Sequence, residues 1–108
     1  MGAASLIWNK YIVLIPDKFA ISVKVFKVPP DDAKHPEGVK TSFVLLDLEL
    51  GAAALLIDNH APFGFHMHTG LPGNKELRQE LNVKTYQAVY EVFMVEVHKR
   101  VEDYKSKI

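Results

Sequence analysis

Histidine titrates near neutral pH, and its neutral ring is the commonest metal ligand among side chains. In this chain three of the five histidines, His60, His66 and His68, fall within nine residues of one another. They follow the pair Asp58-Asn59 in the stretch Asp58-Asn59-His60-Ala61-Pro62-Phe63-Gly64-Phe65-His66-Met67-His68. If Phe65–Thr69 is extended, alternation points His66 and His68 to one side and Phe65 and Met67 to the other.

Two chemistries fit such a pattern. In the first, His66 and His68 hold a divalent metal such as zinc, with His60 or Asp58 as the third ligand. Three protein ligands plus water is the catalytic type of zinc site, although no His-Glu-X-X-His framework fixes the geometry here. In the second, no cofactor is needed. RNA cleavage by attack of the 2′-hydroxyl requires one base and one acid, and two histidines supply both, with a bell-shaped profile around pH 6–7. His60, His66 and His68 would then be catalytic and Asp58 would orient one imidazole. Asn59, Lys75, Arg78 and Lys84 would contact the substrate and its phosphate. A plainer reading also stands: Asp58-Asn59 ends a strand in an Asx-turn and His60 bonds to the loop backbone. His35, beside Pro36, and His98, off the helical stripe, read as surface residues.

Composition narrows the field. The 108 residues make one domain, residues 1–108. Thirteen basic and thirteen acidic residues give zero formal charge, which argues against strong non-specific grip on a nucleic-acid backbone. A small active-site contact with RNA stays open. There is no cysteine, so disulfides and thiolate metal sites are excluded. The apolar residues from Ala3 to Trp8 are too few for a secretory segment, and no run approaches the roughly 20 residues of a membrane span. The expectation is a soluble, cytoplasmic protein.

The elements that must position the histidines read as follows. Residues 6–15 are β-rich, with Ile7, Tyr11, Val13 and Ile15 on one face. Pro16-Asp17-Lys18 is a turn, and 19–28 alternates Phe19, Ile21, Val23 and Val25 against Ala20, Ser22 and Lys24. The proline-rich segment from Pro29 to Lys40 is a loop. Residues 41–50 form a third strand with Val44, Leu46, Leu48 and Leu50 inward. Residues 53–58 form a fourth, with Leu55 and Ile57 on one face. A helix over 48–57 is the alternative, disfavoured by Gly51. Residues 59–74 are a histidine-rich loop, and Lys75–Leu81 a short helical turn. Thr85 caps a helix over 85–105, whose stripe is Tyr86, Val89, Tyr90, Phe93, Val97, Val101 and Tyr104. The expected class is α+β: a four-stranded antiparallel meander with one long C-terminal helix on one face. Trp8, Ile12, Leu14, Phe26, Phe43 and Leu45 fall on the other face, which suggests self-association as a homodimer or a protein partner.

Several of these residues resemble the TumE-type toxins of toxin–antitoxin systems. The resemblance runs through Leu55-Leu56-Ile57-Asp58-Asn59-His60, then Gly64, then His66-Met67-His68, and then Thr85-Tyr86 leading to Phe93 and Val97. It covers the second half directly and the first half in strand order only. Pro62, Phe63, Phe65 and Met67 depart from the shorter, more basic link of that pattern. What the resemblance implies is a toxin acting on RNA or translation, neutralised by a cognate antitoxin of helix-turn-helix type.

Overall fold

A computed structural model describes residues 5–69 and 77–108. Its elements are β1 (Ser5–Ile15), β2 (Phe19–Lys27), β3 (Val39–Asp47), β4 (Ala52–His60), β5 (Gly64–Thr69), β6 (Leu77–Glu80) and α1 (Tyr86–Ser106). The strands form one antiparallel sheet in chain order, β1 to β6, and α1 packs on one face of it. The class is α+β, but the sheet has six strands rather than four.

The two extra strands come from the segment read as loop and helical turn. β5 and β6 have only six and four residues, too few for a periodic signal of their own. Pairing with the far edge of β4 makes β5 a strand, and β5 in turn templates β6 at 77–80, where a helical turn was expected. Lys75 lies outside the described residues.

The buried face of β3 is Thr41, Phe43, Leu45 and Asp47, while Val44 and Leu46 are only half-buried. This reverses the expected inward set. Both faces of β3 are apolar, so alternation alone cannot choose between them; a slip of one residue exchanges the faces. Leu48 and Leu50, also expected inward, are exposed in the β3–β4 turn, where Gly51 takes φ +68°. On β1, Trp8 and Leu14 pack toward the core, whereas Ile7, Tyr11 and Val13 are exposed. Irregularities at Leu6/Trp8 and Val13/Ile15 break the alternation and let Ile15 pack inward as well.

The core joins Ile21, Val23 and Val25 of β2, Phe43 and Leu45 of β3, Leu55 and Ile57 of β4, Phe65 and Met67 of β5, and Val89, Phe93 and Val97 of α1. Phe43 and Phe93 stack at 5.7 Å. Each such side chain, once buried, contributes about 1.5–3 kcal/mol. The Thr85 hydroxyl caps α1 by accepting the Ala88 N–H at 3.2 Å. Lys10 reaches across to donate to the Tyr90 hydroxyl at 3.0 Å. Because α1 covers only one face, the opposite face of the sheet is open. Among the described residues no helix is long and apolar enough to cross a membrane.

Candidate metal centre

Strand register brings the chemistry-bearing residues together on the open face. Asn9, Lys24, Ser42, Asp58, His66 and Glu80 are successive cross-strand partners, one per strand. The adjacent row on the same face is Tyr11, Ser22, Val44, Leu56, His68 and Arg78. Asp58 therefore stands directly opposite His66 and diagonal to His68, within side-chain reach of both.

The geometry is close. Asp58 Oδ1 lies 2.8 Å from His66 Nε2 and 3.2 Å from His68 Nε2. The two imidazole rings are 4.6 Å apart, and one ligand atom from each of the three residues falls within 4.8 Å of the others. His66 is almost sealed, with 1% of its side chain exposed, whereas Asp58 is 33% exposed. Solvent thus reaches the group from the carboxylate side.

One contact sets the character of the site. His66 Nδ1 is 2.8 Å from the Gly64 carbonyl oxygen. A carbonyl only accepts, so Nδ1 carries the hydrogen, and in a neutral imidazole Nε2 then presents a lone pair. That lone pair stands 2.8 Å from a carboxylate oxygen, and Nε2 has no aligned hydrogen-bond partner. Two acceptors so close repel unless a cation, either a proton or a metal ion, lies between them. A backbone carbonyl holding the other ring nitrogen is the usual orienting arrangement for a metal-bound histidine. Tetrahedral donors ~2.0–2.1 Å from one ion are roughly 3.4 Å apart; the two Asp58–imidazole separations, 2.8 and 3.2 Å, are somewhat shorter than that.

Gly64 can supply this carbonyl because it opens β5 at φ +65°, a conformation that suits glycine. A Cβ there would also come 3.4 Å from Glu37 Oε2.

The other expected site residues divide. His60 stands on the rim, exposed, with its ring 5.3 Å from that of His66, and its Nδ1 donates to the Ala61 carbonyl at 3.0 Å. It is not one of the three clustered ligands. Asn59 faces the other side of the sheet. Its amide oxygen accepts from the Thr41 N–H and hydroxyl, both at 2.9 Å, and its nitrogen donates to Glu37 and to the Val39 carbonyl. These bonds tie β3 to β4 and engage the whole side chain. Arg78 is opposite His68, with its guanidinium 4.0 Å from the Phe63 ring centre. Lys84 lines a separate cavity with Glu37 and Phe63. His35, read as surface, is largely buried and sits 3.2 Å from Asp32. That contact holds the Asp32 carboxyl below the usual range. Lys34 and Lys40 beside the site were not singled out, because only the folded 29–38 loop brings the former there.

Compared with family models, with curated proteins and with solved structures, the chain matches none.

Proposed function

We propose that this protein binds one divalent metal ion of the zinc class through Asp58, His66 and His68, leaving a coordination position open for water or substrate. The observation that carries this reading is the 2.8 Å contact of His66 Nδ1 with the Gly64 carbonyl oxygen, which favours the tautomer that aims a bare nitrogen at the Asp58 carboxylate. Two imidazoles and one carboxylate on the same face form a three-ligand set with open positions.

The test is metal content in untagged protein purified without chelator or nickel resin, followed by zinc titration. About one equivalent per chain is expected, lost in Asp58→Asn and His66→Ala. Zinc at about 100 times its dissociation constant should stabilise the fold by about 2.7 kcal/mol, a melting shift on the order of ten degrees or more for this size. Less than a tenth of an equivalent, with no shift on adding zinc, would exclude the reading.

A second reading uses the same atoms with a proton as the bridging cation. His68 Nε2 donates to Asp58 Oδ1 at 3.2 Å, the carboxylate-oriented imidazole that a metal-free, histidine-dependent ribonuclease needs. Cleavage of a labelled structured RNA that survives EDTA and disappears in the His66→Ala/His68→Ala double variant would favour it over the metal. A toxin–antitoxin setting with a helix-turn-helix partner rests on the family resemblance alone. Self-association draws support from Leu6, Ile7, Tyr11 and Val13, exposed on the edge strand β1.

A further inference from the structure

We infer that the cavity against Asp58 binds the phosphate group of a phosphate monoester beside the metal ion. This inference rests on the metal reading above and names the substrate class for that site. The cavity measures about 470 Å³, and its walls include Lys34, His35, Lys40, Asp58 and His60. That size is in the range of small-molecule sites. Asp58 belongs both to the ligand cluster and to this wall, so the cavity adjoins the proposed ligand set at its carboxylate, while His66 and His68 lie outside the wall.

The charges around the cavity are sorted by the loop that forms it. Asp32 accepts the Lys34 backbone N–H at 2.9 Å and pairs with His35. Glu37 accepts from Asn59 at 3.0 Å. Neither carboxylate lines the cavity. By contrast, Lys34 and Lys40 do line it, and neither ammonium has an ion pair among the described residues. Four other lysines, Lys18, Lys99, Lys105 and Lys107, do pair with carboxylates. Once Asp58 is neutralised by coordination, the charges left on the wall are two cations and the ion itself. The cavity selects an anion.

The number of cations chooses among anions. A carboxylate has two oxygens and can satisfy the ion and one ammonium. A phosphate monoester presents three, one for the ion and one for each lysine, as charge-assisted hydrogen bonds. The Ala61 N–H donates to the Lys34 carbonyl at 2.7 Å, fixing the Lys34 backbone against the turn that follows His60. The two lysines therefore approach from different segments, one from the loop and one from β3.

The experiment is calorimetric titration with phenyl phosphate, and with benzoate as the carboxylate control, into zinc-loaded protein. Zinc affinity is measured first, without either anion. Phenyl phosphate should bind the wild type, and benzoate about tenfold more weakly. In Lys34→Ala/Lys40→Ala the phosphate affinity should fall about tenfold or more with zinc affinity unchanged. Both lysines are exposed, so the melting temperature should hold, and Lys34→Arg/Lys40→Arg should retain binding. Phosphate binding that is absent in the wild type, indifferent to both lysines or equalled by benzoate overturns the inference while leaving the metal reading intact. Failure of zinc to bind overturns the metal reading. In that event the phosphate titration on metal-free protein decides the cavity alone: loss on removing the lysines supports it, and indifference overturns it.

Discussion

Asp47 and Asp58 occupy opposite ends and opposite faces of the same β3–β4 pair, and their surroundings differ. Asp47 is buried and bonded to donors. Lys18 Nζ lies 3.0 Å from one carboxylate oxygen and the Leu50 N–H 3.0 Å from the other. Burial alone would raise the Asp47 pKa, but these bonds and the Lys18 charge outweigh it and hold the carboxyl below its ordinary value. Asp58 instead faces two imidazoles, and the geometry of Gly64 makes a lone pair of the nearer nitrogen. A carboxylate matched by donors is a fastening. On the reading proposed above, one held against a bare imidazole nitrogen is a metal ligand. The same residue type would then serve structure at one end of the hairpin and metal binding at the other.

The largest expected effect tests what both ends share. Phe43 is fully buried on β3 between them and contacts Trp8, Tyr90 and Phe93. Phe43→Ala should cost about 3–5 kcal/mol, measured by urea unfolding. A cost under 1 kcal/mol would show that the sheet does not rest on α1 as described. Next comes the Asp58 end. Asp58→Asn should weaken zinc by about a hundredfold or more, beyond the 10–100-fold of losing an orienting partner, while leaving metal-free stability nearly unchanged. If the metal-free variant instead loses stability as an Asp47 variant does, the contrast between the two carboxylates fails.

At the other end the expectation is inverted. Asp47→Ala should cost about 1–3 kcal/mol, because the part-buried Leu50 N–H and the Lys18 ammonium lose their acceptor, and zinc affinity should not move. The pH dependence follows from the sign of the shift. The folded Asp47 pKa is depressed, so its contribution is present at any pH above the ordinary aspartate value of about 3.9. It is lost as pH falls through the lower folded value. Wild-type stability should therefore decline more steeply than that of Asp47→Asn below about pH 4. Parallel curves would remove Asp47 as an acid-sensitive fastening.

How much of this could be read from the residues depends on which physical rule carried the information. Period-two alternation places His66 and His68 on one side of β5 and needs only an extended backbone. The same rule, applied to neighbours in sequence, puts Asn59 on the face opposite Asp58. Adjacency in sequence nevertheless suggests Asn59 as a substrate contact beside Asp58, whereas its side chain is engaged by Thr41 and Glu37. The meeting of Asp58 with His66 required strand pairing, which short β5 does not announce. The face of β3 was reversed because Val44 and Leu46 are as apolar as Phe43 and Leu45. The contacts that go with the inward set, Phe43 with Phe93, Thr41 with Asn59 and Asp47 with Lys18, are all long-range. A loop lysine such as Lys34 carries no periodic signal, and its position depends on bonds to Asp32 and Ala61 that only the folded loop makes.

The smallest expected effect comes from a third carboxylate, which separates ion pairing as such from burial. Glu96 on α1 has two cationic partners, Arg100 at 2.9 Å and Lys99 at 3.2 Å. The hydrogen bond from Arg100 is the main reason its carboxyl is held below the usual range. On paper it is as well paired as Asp47. Its partners lie on the surface of one helix, however, where water replaces them at little cost and salt screens them. Glu96→Gln should change stability by less than about 0.5 kcal/mol, with zinc affinity unaltered and acid sensitivity reduced only slightly. If it costs as much as Asp47→Ala, proximity of charges alone would explain the fastening at Asp47. Burial would then have no separate part, and the difference between the two ends of the hairpin would reduce to the count of nearby cations. A small effect leaves the ranking as the geometry has it: Glu96 solvated, Asp47 matched, Asp58 poised against a bare nitrogen.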